Sequence, residues 1–301
     1  MRINGNLIKM IKLSRSKIEL LFECPRCFWL YAGKGIARPF GAPYTINNAI
    51  DFMLKKEFDE HRNNGTAHHL IKEASIDAIP YLHEDIDKWR NTFTGIQYHH
   101  KTTDFLVFGA VDDIWVDQSG NLIVVDYKAS GAKEGELYDN YKRQMEIYQW
   151  ILRQMGFKVL DRGYFVYCRV NKDNGFAHGN LNFNIKIQPY DGDSSWVEEK
   201  IIEAKKILDG RIPKAAIDCD FCKYRNTVKE AENFDDKDEL FEDAVEFAKE
   251  FETITASQIQ QQFSIGYARA ARILDELEME GIVGPGEGAM PRKVLKRDKT
   301  N

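Results

Sequence analysis

The sequence contains no apolar run approaching the roughly 18 residues that a membrane-spanning helix needs, so no such span is expected. The first 13 residues also lack the continuous apolar stretch of a secretory signal, and the chain is expected to stay in the cytoplasm. There is no excess of positive charge: 42 Lys and Arg stand against 47 Asp and Glu, a net charge of -5. No global field draws the protein to nucleic acid, so any such contact must come from local basic faces or bound cations. Cysteine is scarce, five residues in 301, too few and too unevenly spread for a disulfide scaffold. No internal repeat is visible. No Gly-x-x-x-x-Gly-Lys motif followed by Ser or Thr occurs, which excludes a nucleotide-driven motor of the phosphate-loop kind.

What is present is an ordinary globular composition, 43% hydrophobic and 30% charged, on a chain long enough that two domains are expected. Ser14 to Ser16 offer a helix start followed by apolar Ile18, Leu21 and Phe22, and Pro25 bends or ends that helix. Ile50, Met53, Leu54 and Phe58 give a second helix over 46–58. Residues 105–116 and 121–128 are apolar on both alternating faces around the turn Asp117-Gln118-Ser119-Gly120, which predicts two buried antiparallel strands. A helix over 141–155, a strand over 163–170, a further strand near 182–188 and a helix over 196–208 follow. Residues 229–239 are polar and mostly acidic, the best linker candidate. Beyond them lie three helical segments, 240–251, 257–263 and 267–279, and a Gly-rich hairpin pattern over 282–295 around Pro285-Gly286-Glu287-Gly288. Three helices and a hairpin make a winged-helix layout.

The sharpest chemical feature is Gly109-Ala110-Val111-Asp112, followed fourteen residues later by Asp126-Tyr127-Lys128. Side chains alternate along a strand, so Asp126 and Lys128 share a face, and a tight hairpin brings Asp112 beside them. Two carboxylates converging in a poorly solvated cleft repel each other unless a cation sits between them. Hard oxygen ligands favour magnesium or manganese, which polarise a phosphate and activate a bound water. Spacing alone leaves a second reading open, in which Asp112 and Lys128 form an internal ion pair or the acids merely end strands. His68, His69, His99 and His100 lie in polar stretches and are expected to be solvated, and Cys168 reads as a small buried hydrophobe.

Gly-x-x-Asp, then Asp-Tyr-Lys after an apolar strand, then Gln144-Met145-Glu146-Ile147-Tyr148 on a helix resembles the RecB-like branch of the PD-(D/E)XK nucleases over roughly residues 14–225. The resemblance implies Asp112 and Asp126 as ligands of magnesium or manganese and Lys128 as the catalytic lysine. It also implies Gln144 and Tyr148, four apart on one helix face, as support for the site and the DNA. Where the family commonly carries a metal-binding histidine, this chain reads Asn47-Asn48-Ala49-Ile50-Asp51, and Asp51 is the candidate substitute.

Cys24-Pro25-Arg26-Cys27 and Cys219-Asp220-Phe221-Cys222 form two pairs nearly two hundred residues apart, so a shared metal would join the ends of the nuclease core. By spacing, four thiolates satisfy a tetrahedral zinc. Resemblance to the AddB-type and CRISPR-associated RecB-like nucleases implies instead a four-iron, four-sulfur cluster. Those proteins divide their cysteines one and three, whereas the division here is two and two.

Phe263-Ser264-Ile265-Gly266-Tyr267-Ala268-Arg269-Ala270-Ala271-Arg272, with Glu280-Gly281-Ile282-Val283-Gly284-Pro285 and Pro291-Arg292-Lys293-Val294-Leu295, resembles the gamma domain of FtsK-type DNA translocases over about 238–295. That family reads short duplex motifs with the third helix in the major groove. The resemblance implies base contacts from Arg269 and Arg272 and phosphate contacts from Arg292 and Lys293. Ala268 stands where the family usually has Asn. A competing expectation pairs Arg269 and Arg272 with Asp275 and Glu276 on their own helix.

Together these readings predict an α/β chain. A PD-(D/E)XK restriction-endonuclease-like core over 1–228, with a mixed central sheet flanked by helices, is followed by a linker over 229–237 and a winged helix over 238–301. The expected function is metal-dependent DNA hydrolysis in repair, recombination or processing, with duplex DNA as partner. A non-catalytic DNA-binding regulator or adaptor is the alternative.

Overall fold

The computed structural model describes residues 2–3, 6–7, 10–39, 41, 45–130, 137–173, 177–235, 237–286 and 290–295, with backbone alone at 2–3, 6–7, 130, 177 and 230–235. The chain divides into two compact units, Met1–Cys222 and Lys223–Asn301.

The first unit is built on a five-stranded mixed sheet in the order Phe183–Asp191, Arg162–Val170, Leu122–Ser130, Asp113–Val116, Ile79–Pro80. Leu122–Ser130 pairs in parallel with Arg162–Val170 and antiparallel with Asp113–Val116. Such a strand is covered on both faces, which is why it reads as a nearly unbroken apolar run. Its odd positions Ile123, Val125 and Tyr127 pack with Ile50, Leu54 and Phe58 of the Thr45–Asn64 helix. Its even positions Leu122 and Val124 pack with Met145, Ile147 and Tyr148 of the Asp139–Gln154 helix. Asp126 and Lys128 continue the even series and so stand on the side of the Asp139–Gln154 helix.

The run expected as one strand over 105–116 is two. Phe105–Gly109 lies in a separate three-stranded sheet between Ile11–Ser14 and Ile96–His100, whereas Asp113–Val116 belongs to the five-stranded sheet. The chain crosses from one to the other at 110–112, held where Val111 N donates to Trp89 O at 3.1 Å and Arg90 Nε donates to Asp112 O at 3.0 Å. Apolar runs on both sides of the break, with Ala110 and Val111 between them, make it read as one strand. Helices Arg15–Glu23 and Pro25–Phe28 are separate, with Ser14 capping the first and Pro25 opening the second.

Two of the four histidines expected in solvent are buried. His68 stacks on Phe58 with ring centroids 4.1 Å apart, and His100 hydrogen-bonds to Thr103 and Glu198, each at 2.7 Å. Their polar sequence surroundings hide ring partners supplied from elsewhere in the fold. His69 and His99 are exposed. Cys168 is buried, and burial pushes its thiol up to about 11.

The stretch expected as an acidic linker is helical over its first part, because the Asp220–Asp235 helix runs through it. In the second unit, helices Phe241–Lys249, Ala256–Phe263 and Tyr267–Met279 enclose a core of Phe241, Ala244, Ile254, Ile259, Ile273, Leu274, Leu277 and Val283. Thr255 and Gln258 form a reciprocal capping box that fixes the start of the middle helix. Thr253–Ile254 pairs antiparallel with Arg292–Lys293, and Val283 bridges Val294, so the hairpin arms are present. Glu287 and Gly288 of its turn lie outside the described residues. Among the described residues no helix is long and apolar enough to cross a membrane.

Candidate functional sites

The first candidate site is a cleft of about 320 Å³ bordered by Asp51, Leu54, Asp112, Tyr127, Lys128 and Tyr141. Asp112 leaves the break between the two sheets and accepts a hydrogen bond on Oδ2 from Tyr127 N at 3.0 Å, which places it beside Asp126. Asp126 is 1% exposed. Its Oδ1 accepts from Gln144 Nε2 at 2.6 Å, and its Oδ2 faces the Lys128 ammonium without a hydrogen bond of good geometry. Burial, reinforced by the charge of Asp112, pushes the Asp126 carboxyl up to about 7. The Lys128 ammonium also lies over the Tyr141 ring, 4.4 Å from its centroid.

Asp51 reaches this cleft from the Thr45–Asn64 helix. Lys55, one turn further on, stands between the acids, 2.7 Å from Asp51 and 3.5 Å from Asp112. Burial and the neighbouring Asp112 raise the Asp51 carboxyl. Asn47 anchors the helix start by donating to Ala129 O at 3.1 Å. Lys55 escaped the sequence reading because a lysine on an amphipathic helix looks like a solvated face.

Gln144 and Tyr148 do share a face, their polar atoms 3.5 Å apart. Burial pushes the Tyr148 hydroxyl up to about 12, against the opposing charge of Arg15. Arg15, also missed in sequence, hydrogen-bonds to Tyr148, and its other charged neighbours are Asp126 and Glu19. Its position at the first residue of a short helix carries no distinguishing pattern.

Asp113, next to Asp112, has a different environment. It is fully buried and ion-paired to Arg62 and Arg90, and it accepts from Tyr127 Oη at 2.7 Å and Trp115 Nε1 at 3.3 Å. Such a carboxylate is neutralised and satisfied.

The second candidate site joins Cys24, Cys27, Cys219 and Cys222, all buried, with their sulfurs within 4.8 Å of one another. Arg38 donates to Cys219 Sγ at 3.4 Å and Ala216 N to Cys24 Sγ at 3.5 Å.

On the second unit, Arg269 and Arg272 of the Tyr267–Met279 helix turn toward Asp238. Arg269 makes a two-pronged contact at 2.7 and 2.8 Å, and Arg272 a single one at 3.1 Å. Arg272 also pairs with Glu276 at 3.8 Å, as one sequence reading expected, whereas Asp275 takes Arg292 instead. Arg292 lies against Asp275, Glu278 and Leu274 O, so its guanidinium is engaged within the domain. Lys293 is exposed.

Residues 12–227 match the family model of the PD-(D/E)XK nuclease superfamily, and residues 235–297 match that of the Ftsk gamma domain. The second region is similar to the DNA translocase FtsK of Bacillus anthracis, 48% identical over 62 residues, 21% of this chain and 8% of that one. It is 53% identical over 57 residues to FtsK of Listeria monocytogenes, covering 19% of this chain and 8% of the relative. The DNA translocase SpoIIIE of Bacillus subtilis is 50% identical over 58 residues, 19% and 7% of the two chains. The chain therefore spans less than a tenth of the length of these relatives. With its nuclease-model match covering most of its length, the chain belongs to the PD-(D/E)XK nuclease superfamily and carries an Ftsk gamma domain behind that core.

Proposed function

We propose that the protein is a divalent-metal-dependent deoxyribonuclease whose C-terminal domain brings it to duplex DNA. The observation that carries this reading is the convergence of Asp112, Asp126 and Lys128, with Asp112 and Lys128 bordering the cleft and Asp126 buried beside both. The donor set fits a hard cation: two carboxylates from non-adjacent residues crowd together, and Asp126 Oδ2 is buried without a well-formed hydrogen bond. Asp112 and Asp126 would hold magnesium or manganese, with Asp51 as a third oxygen donor. Such an ion, when bound, polarises a phosphate oxygen and eases deprotonation of a water.

The chain's own residues have separable tasks. Gln144 fixes the orientation of the Asp126 carboxylate through Oδ1. Lys128, held over Tyr141, places its ammonium beside Asp126, where it offsets negative charge developing on the phosphate or orients the attacking water. Arg15, hydrogen-bonded to the neutral Tyr148 hydroxyl, adds positive charge near Asp126. This reading assigns Lys128, Gln144 and Tyr148 the roles that family resemblance implies. In the second unit the relatives are DNA translocases, and the exposed Lys293 on the hairpin is suited to a phosphate.

Incubating the protein with linear and circular, single- and double-stranded DNA, with and without magnesium or manganese, tests the proposal. Cleavage should require the metal and vanish in Asp126→Asn and Lys128→Ala, while both variants keep the wild-type circular dichroism. A folded wild-type protein that leaves every substrate intact with either metal would instead favour a DNA-binding scaffold.

A further inference from the structure

The four-cysteine site does not have the dimensions of an iron-sulfur cluster. Cys27 Sγ lies 3.6 Å from both Cys219 Sγ and Cys222 Sγ, and Cys24 Sγ lies 3.9 Å from Cys222 Sγ. All four sulfurs fall within 4.8 Å of one another. A zinc ion bound to four thiolates at about 2.3 Å requires sulfur separations of about 3.8 Å, the edge of the corresponding tetrahedron. A four-iron cluster interposes its own iron and sulfide atoms and holds its thiolates roughly 6 Å apart. The separations of 3.6 and 3.9 Å match the edge of a single-ion tetrahedron, and even the widest limit of 4.8 Å falls roughly 1 Å short of what the cluster needs.

The local backbone explains the compact set. Cys24 is an extended residue between two helices, and Cys27 follows within the single turn opened by Pro25. Cys219 sits at the end of a turn, and Cys222 lies in the first turn of the Asp220–Asp235 helix with its N–H donating to Cys219 O at 3.1 Å. Each pair therefore presents two sulfurs from one tight bend, the arrangement of a structural zinc site. Four thiolates around a divalent ion leave two negative charges in excess. Arg38, which donates to Cys219 Sγ and lies over the Phe221 ring, and Ala216 N, which donates to Cys24 Sγ, supply the compensating positive potential.

We infer that Cys24, Cys27, Cys219 and Cys222 bind one zinc ion as a tetrahedral structural site, in place of the four-iron cluster that resemblance to other RecB-like nucleases implies. Thiolate sets of this geometry select zinc or iron, and the compact spacing favours the single ion over the cluster. The inference is independent of DNA cleavage.

The full chain, purified anaerobically without added metal, tests it by elemental analysis, sulfide assay and absorption spectroscopy. Stoichiometric zinc, no iron, no acid-labile sulfide and no visible colour are expected. Replacing the ion with cobalt(II) should give the intense visible bands of a tetrahedral tetrathiolate centre, and modifying the thiols with a mercurial should release the metal. Cys222→Ser should lose the tetrathiolate spectrum, and if that variant does not fold, the wild-type cobalt spectrum still decides the geometry. Stoichiometric iron, with or without sulfide, overturns the inference, as does a chain that neither contains nor takes up zinc.

Discussion

Asp112 and Asp113 are neighbours in sequence with opposite surroundings: Asp113 is enclosed by Arg62, Arg90, Trp115 and Tyr127, while Asp112 borders the cleft beside Asp126. Their substitution should separate stability from catalysis. Asp113→Ala leaves Asp59 as the remaining carboxylate partner of both buried arginines and should cost about 3 kcal/mol of unfolding free energy. Asp112→Asn should leave the denaturant midpoint close to wild type and abolish metal-dependent cleavage. Urea titration and a nuclease assay on both variants check this, and a catalytically dead Asp113→Ala with unchanged stability would reverse the assignment.

A methyl group on Gly109 would lie 2.4 Å from Cε1 of the buried Tyr148 ring. The Gly in the Gly-x-x-Asp pattern is therefore required by packing, since only a residue without Cβ lets the ring approach. Gly109→Ala should lose about 1–3 kcal/mol through overpacking. It should also slow cleavage by displacing Tyr148 from the Gln144 and Asp126 chain. Equilibrium denaturation and single-turnover kinetics read the two effects.

Lys55 competes with any cation for Asp51 and Asp112. Removing its charge in Lys55→Ala should tighten manganese binding roughly tenfold, a modest fraction of the attraction expected at this separation near a protein surface. Isothermal titration or electron paramagnetic resonance of free manganese measures this directly. Unchanged affinity would place the cation away from Asp112.

In the C-terminal unit, Arg269 first and foremost holds the Asp238 carboxyl well below the usual carboxylate range. The folded-state pKa thus lies beneath the unfolded value of about 3.9. The stabilisation from this pair is complete above that value and drains away as pH falls through the folded one. The difference in melting temperature between wild type and Asp238→Asn should accordingly be constant near pH 7 and shrink in acid. The same substitution releases Arg269 and Arg272 from the charge of Asp238, with Glu276 still beside Arg272. Duplex binding should tighten, and the salt dependence should steepen by roughly one to two units of slope. Anisotropy titrations across salt concentrations test this, and weaker binding would show that the Asp238 contact shapes the DNA-binding face.

Several of these relationships were visible in sequence. Asp126 and Lys128 share a face because strand periodicity is strict, and Gln144 and Tyr148 because helix periodicity is. The Tyr267–Met279 helix has the bounds its pattern indicates, between Gly266 and the Glu280-Gly281 turn. What stayed hidden depends on partners far away in the chain. Gly109 and the Asp112-Asp113 pair flank the crossing at 110–112, but the apolar runs on either side read as one strand, and only the pairing of Phe105–Gly109 with Ile11–Ser14 reveals a second sheet. Arg15, Lys55 and Asp238 look like solvated charges until the element facing each is known. His68 and His100 were misread for the same reason.

The separation of the two cysteine pairs along the chain has a consequence for biosynthesis. Cys27 and Cys219 are 192 positions apart. At about 5–20 residues per second, the second pair leaves the ribosome roughly 10–40 seconds after the first. Throughout that interval the nascent chain carries only two of the four thiols that the inferred site needs. A metal at the inferred zinc site would be enclosed only once Cys222 has emerged, before the C-terminal domain is complete.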